Sequence, residues 1–313
     1  MSATDRNGGA AWDIRERRDP LTGQRLKTCR HAGGMTLLLL PKPRFSRRFF
    51  GIAVPYGAVH TRFTDGEPSS PDRTATGPGR RSAGNRHSVP PGTAHYLEHC
   101  VFGRGEDGGL SGRISALGGQ ANAYTTHGHT LYHVTAVSRI LETAEQMLRA
   151  VLVPDLDADR VEAERPIILS EIDMYRDDPD TRLYMELLQS LFHRHPIRQD
   201  IGGRPDTVSR ITAADLEGIR RRFHHPSRLV LSCAGDIDES RLLEQLDRIV
   251  AECGWERPAA AVLPAGREPG SPRARARRVP MEVREPAFLV GIKDPGVLPD
   301  HPLPAGERAL RSL

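Results

Sequence analysis

The five residues His95-Tyr96-Leu97-Glu98-His99 constrain this chain more than any other feature. On a helix, positions four apart lie one above the other, so the two imidazoles face the same way and can share a metal ion. Glu98 sits beside them, where it can polarise a water held by that metal. Pro90-Pro91-Gly92 reads as a loop, Thr93 as a cap and Gly103 as a stop. Cys100, Val101 and Phe102 can bury the far side of the helix; Cys100 points about 100° from His99 and reads as packing. Two histidines do not complete a metal site. A zinc centre that works on substrate needs a third protein ligand and one open position for water. A fold that binds metal here would therefore carry a distant Asp, Glu, His or Cys onto this helix.

Read backwards, the pattern is the H-E-x-x-H of zinc peptidases, and the inverted order is itself a peptidase motif. The best source of a third ligand is the segment from Glu164 to Tyr175. Glu164 and Glu171 are seven apart, almost two full turns, and share a helix face. Ile168, Ile172 and Tyr175 form an apolar stripe beside them. Pro166 interrupts this segment, because a proline inside a helix removes a hydrogen bond and clashes with the previous turn. The sequence predicts either a kink there or a new helix starting at Pro166, and Glu171 stays helical in both. The plain alternative is a surface histidine pair and two solvated glutamates.

Elsewhere, strands and helices alternate. The patterns predict helices near 93–103, 109–117, 138–150, 158–176, 179–194, 213–223 and 239–252. Strands are predicted near 25–31, 35–41, 48–57, 120–126, 129–137 and 228–235. This is an α+β domain with a largely antiparallel sheet and helices packed on it. It is expected over residues 22–255, after a tail at 1–21. Residues 64–92 lack apolar periodicity and read as a disordered loop insertion. Residues 256–280, with the Arg-rich stretch Pro272 to Arg278, read as a linker. Residues 281–313 follow it.

Composition excludes more than it assigns. The net charge is only +4 although the pI is ≈ 9.0. Lys27, Lys42 and Lys293 are the only lysines, so the positive charge is arginine, and no nucleic-acid motif accompanies it. The longest apolar run, Met35 to Leu40, is far too short to span a bilayer. The N-terminus is polar and shows no signal peptide. The four cysteines, at 29, 100, 233 and 253, have no CxxC spacing and suit a reduced cytoplasmic protein. His127, His129 and His133 read as hairpin surface residues rather than a second metal site.

Several motifs, in order, resemble the insulinase/pitrilysin/mitochondrial processing peptidase family, the inverzincins. They are Gly92 to Gly103, Gly118 to Thr125 with Thr130-Leu-Tyr132, Glu164 to Tyr175 with Asp177-Asp178-Pro179, His195 to Gly203, and Phe223 to Asp238. The Asp-Asp-Pro-Asp and Pro-Ile-Arg-Gln-Asp-Ile-Gly-Gly runs resemble a bacterial two-domain branch. The resemblance implies the LuxS/insulinase-like metallopeptidase fold, with Zn2+ bound by His95, His99 and Glu171. It makes Glu98 the general base and places Glu164 in support behind the ligands. It also makes the strand carrying Asn122 and Ala123 an edge that pairs with extended substrate. Zinc lowers the pKa of its bound water to about 7, and Glu98 would take the proton and pass it to the leaving amine. The histidines must be neutral to bind, so activity is expected to fall at acid pH.

The resemblance thus implies a zinc metalloendopeptidase acting on peptides or unfolded polypeptide segments. Met281 to Lys293 resembles the first strand of the family's second domain, which would be incomplete here. The missing half would be a further domain or a partner subunit. The alternatives are a non-catalytic zinc-binding or structural subunit of a processing-peptidase-like assembly, or a truncated inactive remnant. The intact set His95, Glu98, His99 and Glu171 favours the enzyme.

Overall fold

Apolar residues at every second position build the sheet on which everything else rests. The computed structural model describes residues 11–66, 85–103, 108–253, 260–262 and 268–293. Its first strands are β1 (Trp12–Arg18), β2 (Arg25–His31), β3 (Thr36–Pro41), β4 (Arg48–Val54), β5 (Arg62–Gly66) and β6 (Arg86–Ser88). Helices α1 (Thr93–Phe102) and α2 (Gly109–Ala116) precede the hairpin β7 (Gly119–Thr125) and β8 (Thr130–Ala136). Then come α3 (Ile140–Leu152), α4 (Ala158–Arg176), α5 (Pro179–Leu191), α6 (Pro205–Val208) and α7 (Ala213–Phe223). The chain continues through β9 (Val230–Gly235), α8 (Glu239–Cys253) and β10 (Ala260–Val262).

Seven strands form one sheet in the order β1-β2-β3-β9-β4-β8-β7. Every neighbouring pair is antiparallel except β3 and β9, which are parallel. β9 therefore enters late in the chain between two early strands. The register aligns one row across the sheet: Cys29, Leu37, Leu231, Ile52, Tyr132 and Ala123. The first five are almost wholly buried. Side chains alternate along a strand, so this row marks the face covered by helices. α3 packs on β8, and α2 and α1 lie against β7. In α3, Ile140, Ala144, Met147, Leu148 and Val151 are all buried, an apolar stripe at helical spacing. Burial of each large side chain there stabilises the layer by about 1.5–3 kcal/mol.

The α+β class with a mostly antiparallel sheet is as the sequence predicts, but the margins differ. Trp12–Arg18 lies in the predicted tail, yet it forms edge strand β1, paired with β2 along its whole length. Trp12 is the reason. Its buried indole donates to Asp247 of α8 at 2.6 Å and anchors the strand. The predicted loop 64–92 begins and ends in order, because β5 pairs with β6; residues 67–84 lie outside the described residues. β10, inside the predicted linker, pairs with β5 in the same small sheet. Residues 254–259 and 263–267 lie outside the described residues. From 268 to 293 the chain is irregular, so Met281 to Lys293 does not form the strand that the family resemblance implies. It has no strand beside it to pair with among the described residues. Residues 294–313 lie outside them. No helix among the described residues is long and apolar enough to cross a membrane.

Candidate metal centre

α1 starts where two glycine loops meet. Gly92 adopts φ 97°, and a Cβ there would stand 2.6 Å from the Gly202 carbonyl. Gly203, at φ 81°, would meet the Pro91 carbonyl equally closely. Only glycine tolerates both the conformation and the contact. Gly92 is the helix cap, not Thr93 as the sequence predicts; the Thr93 hydroxyl donates instead to the Pro90 carbonyl at 2.6 Å. The helix stops at Gly103, whose N–H returns to the His99 carbonyl. Tyr96, Leu97, Cys100 and Val101 are buried, which leaves His95, Glu98 and His99 on the other side. The Tyr96 hydroxyl donates to the Val161 carbonyl at 2.6 Å and fixes α1 against α4.

α4 is one helix from Ala158 to Arg176 with Pro166 inside it. Of the two outcomes predicted at Pro166, the continuous helix excludes the restart. Asp157 caps its start by accepting the Asp159 N–H. Beside the proline, Arg165 donates to Glu162 and to the Val208 and Ile211 carbonyls, tying the disturbed turn to the end of α6 and the residues after it. Glu171 and Glu164 both reach α1. Glu171 Oε2 and His99 Nε2 share a hydrogen bond at 3.2 Å, and Glu171 Oε1 lies 3.8 Å from His95 Nε2. Glu164, almost fully buried, places Oε2 3.6 Å from His99 Nδ1.

One donor atom from each of His95, His99 and Glu171 lies within 4.8 Å of the others. A tetrahedral site with bonds of about 2.0–2.2 Å has ligand edges of roughly 3.4 Å. The two Glu171 oxygens, 3.2 Å from His99 Nε2 and 3.8 Å from His95 Nε2, lie close to that spacing, and two imidazoles with one carboxylate are a known zinc donor set. The residues therefore fit the metal. Glu164 at the far nitrogen of His99 fits too, since a carboxylate there fixes the tautomer and aims the other nitrogen at the ion.

Electrostatics agree with this arrangement. Burial and the neighbouring His99 charge push the His95 pKa down to about 4, so His95 is neutral at pH 7 and offers a lone pair. Burial also pulls on His99, but the Glu164 and Glu171 carboxylates outweigh it and raise the pKa to about 9. A divalent cation seated among these atoms would replace the proton that His99 and Glu171 share. The Glu171 carboxyl is held below its usual range, chiefly by the hydrogen bond with His99.

Glu98 faces the same pocket. Its carboxyl is pushed up by burial, against a 2.6 Å hydrogen bond from the Thr125 hydroxyl. A carboxyl raised in this way is a stronger base than a solvated one. Thr125 shows no role in the sequence, because its partner lies 27 residues earlier in the chain. One signal was available: Ala121, Ala123 and Thr125 share a face, the one turned to the helices.

The pocket has a volume of about 540 Å³, and its lining includes His95, Glu98, Ala123, Thr125 and Glu171. Asn122 alternates to the opposite face and is exposed. Its side chain accepts the Ala123 N–H at 2.9 Å, so that N–H serves no ladder bond to β8. β7 is an outer strand of the sheet. His127 also lines the pocket, whereas His133 stacks on Phe49 and His129 bonds within its own turn. Among the described residues, no second group of His, Cys, Asp or Glu gathers as a metal set.

Comparison with known proteins follows this geometry. Residues 82–203 match the model of Insulinase (Peptidase family M16). An uncharacterized zinc protease of Bacillus subtilis (strain 168) is 28% identical over 262 residues, covering 84% of this chain and 58% of the relative. One from Mycobacterium tuberculosis is 31% identical over 247 residues, covering 76% and 55%. A crystal structure of an M16-like peptidase from Alicyclobacillus acidocaldarius superposes with a TM-score of 0.69 at 30% identity, covering 85% of this chain and 56% of that one. The chain spans a little over half the length of these relatives. Matched by that family model, by relatives named zinc proteases and by an M16-like fold, the chain carries an insulinase-family domain of peptidase family M16.

Proposed function

We propose that this domain is a zinc-dependent endopeptidase. The observation that carries the reading is the gathering of His95, His99 and Glu171 donor atoms beside a partly buried carboxylate, Glu98, with His95, Glu171 and Glu98 lining one pocket. His95, His99 and Glu171 would hold the zinc, with Glu164 orienting His99 from behind. Zinc in that place supplies Lewis acidity to the scissile carbonyl and acidifies water to a pKa of about 7. Glu98 takes a proton from the attacking water and returns it to the leaving amine. Thr125 keeps the Glu98 carboxylate aimed and partly ionised. β7 offers its outer backbone, near Asn122 and Ala123, to an extended peptide. That mode suits peptides and unfolded segments, because only an extended backbone can lie along the strand.

The chain spans a little over half the length of these relatives, so the second half of a clamshell, from a further domain or a partner subunit, belongs to this proposal. A cytoplasmic setting belongs to it as well, on the four free cysteines, three of them buried. The test is zinc content by mass spectrometry together with cleavage of a quenched peptide library. Bound zinc at one per chain and cleavage abolished by chelation are expected. Folded protein without zinc would overturn the metal reading. Zinc without cleavage, alone or with a candidate second half, would replace the enzyme with the non-catalytic subunit.

A further inference from the structure

Next to the metal pocket is a larger cavity of about 880 Å³, bounded by α4, α5 and the loop through residues 194–207. The two adjoin, for Ile172, Tyr175, Thr181, Met185 and Asp200 line both. Six arginines line the larger one: Arg176, Arg182, Arg194, Arg198, Arg204 and Arg277. Three carboxylates line the cavity with them, and two are already engaged, while Asp173, outside the lining, pairs with Arg176 at 3.1 Å. Glu186 accepts a hydrogen bond from Arg182 at 3.0 Å and forms an ion pair with Arg277 at 2.6 Å. Asp206 is gripped by two nitrogens of Arg204, each at 2.9 Å. The third, Asp200, is partly buried, and its carboxyl is held above the usual range by that burial.

The guanidinium groups of Arg194 and Arg198 have no carboxylate partner among the described residues, although the Arg194 backbone N–H donates to Glu268 at 2.9 Å. Arg198 is nonetheless positioned: its Nη1 donates to the His193 carbonyl at 2.7 Å. A guanidinium has five N–H donors, so most of its fork stays available. An anchored fork has lost part of its freedom in advance and matches a carboxylate bidentately. Concave walls of low dielectric focus the excess positive field into the cavity. Ile172 and Met185 supply apolar surface where the cavities join, for the stem of a side chain.

We infer that this cavity receives a carboxylate of the bound peptide, so that the domain selects substrates with an acidic residue close to the scissile bond. The inference rests on the peptidase reading above. The carboxylate can come from an internal Glu or Asp or from the free end of a peptide, and the two sources are separable.

The experiment is fluorescence anisotropy on the full chain carrying Glu98→Gln, which prevents turnover during the titration. The probes are fluorescein-labelled extended peptides identical except for a single internal Glu or Gln, scanned along the sequence, each with a free or an amidated C-terminus. At low salt one scan position is expected to favour Glu about tenfold. The preference should shrink at high salt, as screening requires. In Arg194→Ala/Arg198→Ala it should fall below about twofold, with Gln-peptide affinity unchanged, and Arg198→Lys should restore part of it. A preference that instead follows the free C-terminus keeps the cavity and assigns it the chain end. Equal affinity for Glu and Gln peptides and for both termini overturns the inference and leaves the peptidase reading standing. A preference that survives the double substitution also overturns it. Failure to bind any peptide overturns both.

Discussion

The two outer strands of the sheet close it with opposite chemistry. β1 reads Trp-Asp-Ile-Arg-Glu-Arg-Arg, with every residue after Trp12 exposed. β7 reads Gly-Gln-Ala-Asn-Ala-Tyr-Thr, without a single charged side chain. An edge presents unpaired backbone groups, and charged residues on it deter a further strand. β1 is guarded in this way. β7 instead leaves the Ala123 N–H to the neighbouring Asn122 side chain, which an incoming backbone can displace. Two edges of one sheet thus differ in accessibility through their side chains alone, and the open one runs along the metal pocket.

The largest test of that contrast lies beside β7. Glu98→Gln should keep zinc and lose about 10³-fold in kcat. Turnover by a zinc-loaded Glu98→Gln protein would detach the chemistry from this edge. Next comes Ala123→Pro, which removes one outward N–H without taking a bond from β8. A tenfold rise in KM is expected with kcat nearly constant, since one lost hydrogen bond contributes about 0.5–1.5 kcal/mol. An unchanged KM would mean that peptides do not pair with β7.

Thr125→Val should have a smaller effect, about threefold to tenfold in kcat/KM at pH 7. A hydrogen bond donated to a carboxylate favours its charged form, so removing it raises the Glu98 pKa. The base is then protonated up to a higher pH, and the acid limb of the kcat/KM profile should move upward. A limb that stays in place would remove Thr125 from the site. The guarded edge should give the smallest effect on activity. Arg15→Val with Arg17→Val is expected to leave kcat/KM within twofold while light scattering shows self-association. A protein that stays monomeric would show that charge is not what protects β1.

Helical spacing carried most of the site in the sequence, because α1 and α4 each announce one buried face. Glu171 could be chosen only with help from the family resemblance, since helical spacing does not reveal which distant helix will cross α1. The strand at Trp12 was illegible for a physical reason. A guarded edge is polar on its outer positions, so its sequence resembles a tail, and its anchor, Asp247, is 235 residues away. The short strands β5, β6 and β10 suffer likewise, being fixed by partners rather than by their own residues. Pro166 left a kink and a restart both open, and the continuous helix excludes the restart, with ties around Arg165 supporting the turn that the proline disturbs.

The position of β9 has a consequence for how the molecule comes into being. Every metal donor lies between residues 95 and 171, yet β3 and β4 are joined only by a strand at 230–235. During synthesis the donors emerge long before the sheet beneath them can close. Until β9 arrives, two hydrophobic strands stay unsatisfied along their facing sides, and such unpaired edges invite aggregation. Closing that gap takes contacts nearly two hundred residues apart in sequence, which makes the step slow. β9 acts as a keystone: a nascent chain can assemble the pieces of a catalyst early but gains a firm support for them only near the end.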